Sequence, residues 1–326
     1  MLPKFTYSRP GSLVQVANLA ARPGTRVHAG GTDLLGCLRD GVFGAESLVS
    51  LSGLSDLRGV TPTSGGGLRI GALTTIAEIA ANDAISDRYP ALAQAAASVA
   101  SPQLRNQGTI GGNLCQKPRC WYYRGDFHCL RKGGDTCYAF DGENQYHCIL
   151  GGDGCYIVHP SDTAPALAAL GARVTAVSAG GRRTIAVEKL HVPPSTDPQR
   201  ETALEPGEIL TEVILPPPPS GLRSSYRKIR ERASWDFAVV GVALALVFDG
   251  HTVTTANIFL SGAAPVPWRA RQAEEVLNGS NLDGATVERA AHAAVADAEP
   301  LAHNAYKVPL FAGLIKEQLT TLGGGT

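Results

Sequence analysis

The sequence predicts an α+β chain in two parts: a mixed domain over residues 1–218, then a smaller one over 219–326 made of antiparallel sheet plus helices. Three observations predict it. Strand-like segments run into glycine-rich turns that open helices, at Gly30-Gly31-Thr32-Asp33 and again at Gly108 to Asn113. Four consecutive prolines, Pro216 to Pro219, follow an alternating strand, and a proline run cannot continue a sheet. Beyond them lie three more strand-like runs, the last two meeting at the hairpin signal Asp249-Gly250, and then three helical stretches.

In chain order, Lys4 to Tyr7 reads as a short edge strand. Ser12 is placed to cap a helix through Ala21, with Leu13, Val16, Ala17 and Ala20 at helical spacing. Arg26 to Ala29 is a strand that runs into the first glycine turn, and Leu34, Leu35 and Leu38 start the next helix. Ser47–Leu51 and Leu68–Gly71 are strands. Thr75 caps Ile76–Ala81, and Pro90, suited to a first helical position, opens an alanine-rich helix through Ala100. After a cysteine-rich segment, Ala164–Leu170 is a helix of small residues. Val174–Val177 and Thr184–Val187 form a hairpin around Gly180-Gly181. Glu208–Leu215 alternates as a half-buried strand should. In the second domain the expected strands are Ser225–Arg230, Val239–Phe248 and Thr252–Leu260. The expected helices are Trp268–Leu277, Asp283–Ala296 and Ala305–Leu322.

The 326 residues suffice for two cores, and the 44% hydrophobic, 18% charged make-up is that of an ordinary globular chain. A formal net charge of zero excludes a nucleic-acid binder, which needs a basic surface to release counterions. No apolar run reaches membrane-spanning length, so no membrane insertion is expected, and the opening MLPKFTYSRPG is too short and polar for a signal peptide.

The two glycine turns match neither a classical dinucleotide fingerprint nor a Walker motif. Each alone reads as a tight turn; together, with their hydroxyl and amide side chains, they suit the two halves of a pyrophosphate. Seven cysteines make a complete disulfide framework unlike what is expected, and six of them fall between Cys115 and Cys155. Eight residues separate Cys120 from Cys129, seven separate Cys129 from Cys137, and seventeen separate Cys137 from Cys155. That spacing matches neither paired zinc knuckles nor a bacterial ferredoxin run, so structural zinc or free thiols stay open beside an iron–sulfur cluster. Lys117, Arg119, Arg124, Arg131 and Lys132 would favour thiolates there. Cys37 reads as a buried core thiol. His128 and His147 could be ligands or surface residues. Lys228 sits on a strand where five of nine residues are charged, as a solvated face or as a cation reaching an anionic cofactor.

Ala29-Gly-Gly-Thr-Asp-Leu-Leu35, Leu68-Arg-Ile-Gly-Ala72, Gln107-Gly-Thr-Ile-Gly-Gly-Asn113 and Tyr226-Arg-Lys-Ile together resemble the FAD-binding (medium) subunits of the xanthine dehydrogenase family of molybdenum hydroxylases, in the same order and over essentially the whole chain. The cysteine segment is similar to that of the flavin subunit of periplasmic aldehyde oxidoreductases. The resemblance implies a two-lobed FAD domain of the vanillyl-alcohol oxidase type followed by the family's C-terminal domain. It also implies FAD contacts at Val27, His28, Ala29, Gly30, Gly31, Thr32, Asp33 and Leu34, at Thr109, Ile110, Gly111, Gly112 and Asn113, and at Val99, Asp162, Leu210 and Lys228. A [4Fe-4S] cluster is implied on Cys120, Cys129, Cys137 and Cys155, leaving out Cys115 and Cys148. No catalytic acid or base is implied. The expected partners are a large molybdopterin-binding subunit and a small [2Fe-2S] subunit, with electrons passing through FAD here to an external acceptor.

Three other readings stand beside it: a 4-hydroxybenzoyl-CoA reductase-like flavin subunit, a cluster-bearing assembly subunit with a vestigial flavin site, and a stand-alone flavin oxidase. The implied compartment is the cytoplasm, or the periplasm by co-export with a partner that carries a twin-arginine signal.

Overall fold

The computed structural model describes residues 2–324. The chain opens with β1 (Thr6–Ser8), α1 (Leu13–Ala20), β2 (Thr25–His28), α2 (Leu34–Arg39) and β3 (Ser47–Ser50). These strands make a small parallel sheet in the order β1-β3-β2, so β1 is at the expected edge. Ser12 caps α1 by accepting the Gln15 N–H.

Next come β4 (Val60–Pro62), β5 (Leu68–Gly71), α3 (Ile76–Ala80), α4 (Asp83–Arg88), α5 (Pro90–Ser98), α6 (Pro102–Gln107), α7 (Ile110–Leu114) and α8 (Trp121–Arg124). Then follow α9 (Thr163–Ala169), β6 (Arg173–Ser178), β7 (Gly181–Ala186) and β8 (Ile209–Leu215). Thr75 and Glu78 form a full capping box on α3. Strands β4-β5-β8-β6-β7 build an antiparallel second sheet. β4 is not among the sequence expectations; it carries Pro62, which the sheet accommodates at an edge.

After Pro216–Pro219 the chain forms β9 (Leu222–Ile229), β10 (Val240–Asp249), β11 (Thr252–Ser261), β12 (Trp268–Arg269), α10 (Arg271–Leu277), β13 (Ser280–Asn281), α11 (Gly284–Ala293) and α12 (Lys307–Gly323). The third sheet runs β12-β11-β10-β9, with β13 also pairing β11. The helix expected from Trp268 starts at Arg271 instead. Trp268 and Arg269 pair with β11, and Ala270 continues that ladder by donating to Ile258 O.

Strand β10 shows why the layers stack as they do. Its small residues, Ala243 and Ala245, face one core with Leu92, Ala95 and Ala96 of α5, Leu167 of α9 and Val174 and Val213 of the second sheet. Its larger alternate residues, Val242, Leu244 and Leu246, face Phe311, Leu314, Ile315 and Leu319 of α12. A period of two with small residues on one face lets α5 and α9 lie close, between two sheets. The α+β class holds, with the antiparallel sheet and its helices in the C-terminal part.

Candidate cofactor cleft and cysteine cavity

Strand β2 delivers the first glycine turn to the middle of the molecule. Gly30 rests against the backbone before the second turn: a Cβ there would lie 1.9 Å from Gln107 O, so no side chain is tolerated. Gly31 takes a left-handed φ of +74°. Among the described residues, the N–H groups of Gly30, Gly31, Thr32, Asp33 and Leu34 have no acceptor. Five consecutive free donors ahead of α2 make a concavity for an anion. The Asp33 carboxylate does not cap α2. It accepts the Lys117 N–H at 2.7 Å and pairs with Arg124 at 2.7 Å and Arg119 at 3.0 Å, tying the turn to the cysteine-rich segment.

The second turn is arranged differently. Thr109 caps α7, its hydroxyl accepting from Gly112 N–H at 3.2 Å. Ile110 donates to Thr74 O at 3.0 Å, Gly111 to Ala72 O at 2.9 Å and Asn113 to Thr109 O at 2.8 Å. The Asn113 side-chain oxygen takes the hydroxyls of Ser161 and Thr163, the latter at 2.7 Å. This turn is braced against β5 and α9 rather than open.

Between the turns runs a cleft of about 570 Å³, continued by a smaller one of about 270 Å³. Gly31, Thr32, Asp33, Thr109 and Gly112 line both. Val99, Asn113 and Asp162 line the larger; Val27, Ala29, Gly30, Leu34, Gly111 and Leu210 line the smaller.

Three expected residues sit elsewhere. The Ile110 side chain is fully buried in the core. His28 lies beside the turn, edge-on to Tyr7, because strand alternation points it away from Val27. Lys228 is buried behind the cleft, its Nζ donating to Asp162 at 2.7 Å and to Asp236 O at 3.0 Å, while Tyr226 donates to the other Asp162 oxygen at 2.6 Å. Burial, then the Asp162 charge, keeps the Tyr226 hydroxyl protonated well past its ordinary range.

The loop Trp235–Phe237, Gln116 and Arg119 also line the larger cleft. Sequence reasoning passed over that loop, which lies between strands and carries no glycine turn. Its mark is conformational: Trp235 has φ +55° and is 67% exposed.

Four sulfurs, Cys120, Cys129, Cys137 and Cys155, line one small cavity with Tyr122, Tyr123, Arg131 and His147. Cys148 is buried outside it, and Cys115 lines the smaller cleft. Cys37 is a core thiol as expected, and burial raises its pKa to about 11. Among the described residues no cysteine is in a disulfide.

Among the described residues no three His, Cys, Asp or Glu side chains converge closely enough for a single ion. Burial pushes the Cys120 thiol up to about 12 and the Cys155 thiol upward also. Turns rather than regular strands carry the segment, and distant groups staple it. Arg131 pairs with Glu201 at 3.2 Å, Asn304 donates to His147 O and Cys148 O, and the buried Lys307 donates to Tyr146 O, His147 O and Gly262 O. A cavity of about 290 Å³ lies between cleft and cysteines. It shares Arg119, Asp162, Asp236 and Phe237 with the cleft, and Cys120 and His147 with the cysteine cavity.

An α+β chain with a free-amide turn over a long cleft defines the class of proteins that hold an extended, phosphate-bearing cofactor. Comparison with known proteins gives the family. Residues 3–218 match the FAD binding domain in molybdopterin dehydrogenase, and residues 224–322 match the CO dehydrogenase flavoprotein C-terminal domain. The chain is 37% identical to the aldehyde oxidoreductase FAD-binding subunit PaoB of Escherichia coli K12, over 94% of each chain. It is 29% identical to the carbon monoxide dehydrogenase medium chain of Afipia carboxidovorans, over 92% of this chain and 89% of that one. A solved Cu,Mo-CO dehydrogenase chain superposes with a TM-score of 0.79 at 25% identity, covering 99% of both.

The chain belongs to this family of FAD-binding subunits. It is a medium, FAD-binding oxidoreductase subunit of the molybdenum hydroxylase type. No helix among the described residues is long and apolar enough to cross a membrane.

Proposed function

We propose that this chain relays electrons within a molybdenum hydroxylase, holding FAD in the cleft and a [4Fe-4S] cluster in the cysteine cavity. The free amides of Gly30–Leu34 hold the diphosphate, and Val27, Ala29, Val99, Thr109, Gly111, Gly112, Asn113, Asp162 and Leu210 line the rest of the cofactor's path. Lys228 acts from behind, fixing the Asp162 carboxylate toward the cleft. Cys120, Cys129, Cys137 and Cys155 are the cluster ligands. FAD supplies two-electron redox chemistry that can be drained one electron at a time, and the protein contributes binding and electrostatics.

The observation that carries this reading is that four sulfurs chosen from seven line a single cavity, and that the cavity of about 290 Å³ beside it shares walls both with it and with the cleft. Four cysteines lining one cavity suit a cluster that takes four thiolates. The buried Arg131, which lines the cysteine cavity, offsets the cluster's negative charge.

The partners are a large molybdopterin-binding subunit that oxidises an aldehyde-class substrate and a small [2Fe-2S] subunit that supplies electrons. The complex works in the cytoplasm, or in the periplasm after co-export. The division between a first domain ending at residue 218 and a second from 219 is part of the same reading. The test is the purified complex with Cys129→Ser: this chain's iron should fall while FAD stays at one per chain. Zinc in the native chain, or flavin lost together with iron, overturns the assignment.

A further inference from the structure

This inference rests on the cluster reading above and concerns a residue that reading leaves without a task. His147 is buried, and its Nε2 lies 3.2 Å from Cys120 Sγ. Its other ring nitrogen, Nδ1, has no partner among the described residues. The ring is held edge-on to Trp121. Its backbone is fixed on both sides, His147 N–H donating to Asn144 O at 2.9 Å and His147 O receiving Asn304 and Lys307. Cys120 and His147 are also the two residues shared by the cysteine cavity and the cavity that leads to the cleft. The pair is therefore the wall between the cysteine cavity and the passage that leads to the cleft.

A metal-bound thiolate can only accept hydrogen bonds, so the nitrogen facing it must carry the proton. The unpartnered Nδ1 is then the bare nitrogen of a neutral ring, and nothing else competes for the Nε2 hydrogen. A donor on a ligand sulfur withdraws electron density and stabilises the more negative, reduced cluster. We propose that His147 is a positioning residue that donates Nε2–H to the Cys120 thiolate and raises the reduction potential of the cluster on its cleft-facing side.

The experiment is a potentiometric titration of the intact complex followed by electron paramagnetic resonance, comparing native protein with His147→Phe and His147→Gln. His147→Phe should keep its iron and flavin while the cluster's midpoint shifts to lower potential and the flavin's does not. His147→Gln, which retains an N–H donor, should recover part of the shift. An unchanged midpoint in the iron-replete Phe variant overturns the proposal. So does loss of iron from both variants with flavin retained, which would make His147 a ligand. Should only the Phe variant lose iron, the native cluster decides: absence of a deuterium-exchangeable proton coupling to it overturns the proposal. A native chain with no iron is a different failure, visible before any variant is made, and it removes the cluster reading itself.

Discussion

Two glycine turns face each other across the cleft, alike in composition and opposite in use. Each has paired glycines, a threonine, and an Asp or Asn. In Gly30–Leu34 every amide is free and the side chain of Asp33 is committed to Lys117, Arg119 and Arg124. In Thr109–Asn113 the amides of Ile110, Gly111, Gly112 and Asn113 are all taken, and Asn113 braces Ser161 and Thr163. The first turn is a donor surface; the second is the rigid wall opposite it. An anion site needs both, because free donors are useful only when the backbone carrying them cannot relax around its own carbonyls.

The largest effect expected from breaking this contrast is at Gly30. A Cβ at 1.9 Å from Gln107 O collides with main chain, which cannot rotate away as a side chain can. Gly30→Val should destabilise the protein by roughly 3 kcal/mol or more and abolish flavin retention, read from urea unfolding and the ratio of flavin to protein absorbance. Gly111 gives the sharper comparison. Its Cβ would meet Ala72 Cβ at 3.0 Å, a contact with β5's end and not with the donor surface. Gly111→Ala should cost about 1 kcal/mol and lower flavin per folded chain far less than Gly30→Val does. Equal flavin loss in both variants would show that the second turn is a donor surface as well.

How much of this could be read from the chain depended on how local the cause was. Ser12, Thr75 and Pro90 announce their helices because a cap or a first-turn proline acts within four residues. The alternation of β10 fixes its two faces for the same reason. The difference between the glycine turns was not legible, since the acceptors Thr74 O and Ala72 O lie more than thirty residues before their donors. The strand Trp268–Arg269 exists only through its pairing with β11, and no local signal separates it from the helix that follows. The cysteine spacing is irregular because turns, each held by a distant group such as Arg131, Asn304 or Lys307, place the sulfurs. Spacing alone therefore left zinc open, and the four positions came from likeness to a family.

The smallest effect at neutral pH, and the one that isolates the braced turn, comes from acid. His191 donates Nε2–H to Leu114 O at the end of α7, and His159 lies against it with ring centroids 3.9 Å apart. Both are buried. Burial holds His191 down to about 4 and lowers His159 well below its ordinary value, with the neighbouring His191 and Arg131 adding to it. A histidine whose folded pKa lies below its unfolded value of about 6.5 binds fewer protons folded than unfolded between those values. Its contribution is thus fully present above pH 6.5 and is lost as the pH falls toward 4, at up to about 1.4 kcal/mol per pH unit for each ring. Two rings in contact cannot both accept a charge cheaply, so the loss should fall on the second turn before the first. Urea midpoints should decline from pH 7 to pH 5 in the native chain and decline less in His191→Gln, which can keep the bond to Leu114 O without titrating. Parallel slopes in the two proteins would assign the acid sensitivity elsewhere and leave the second turn braced by its backbone alone.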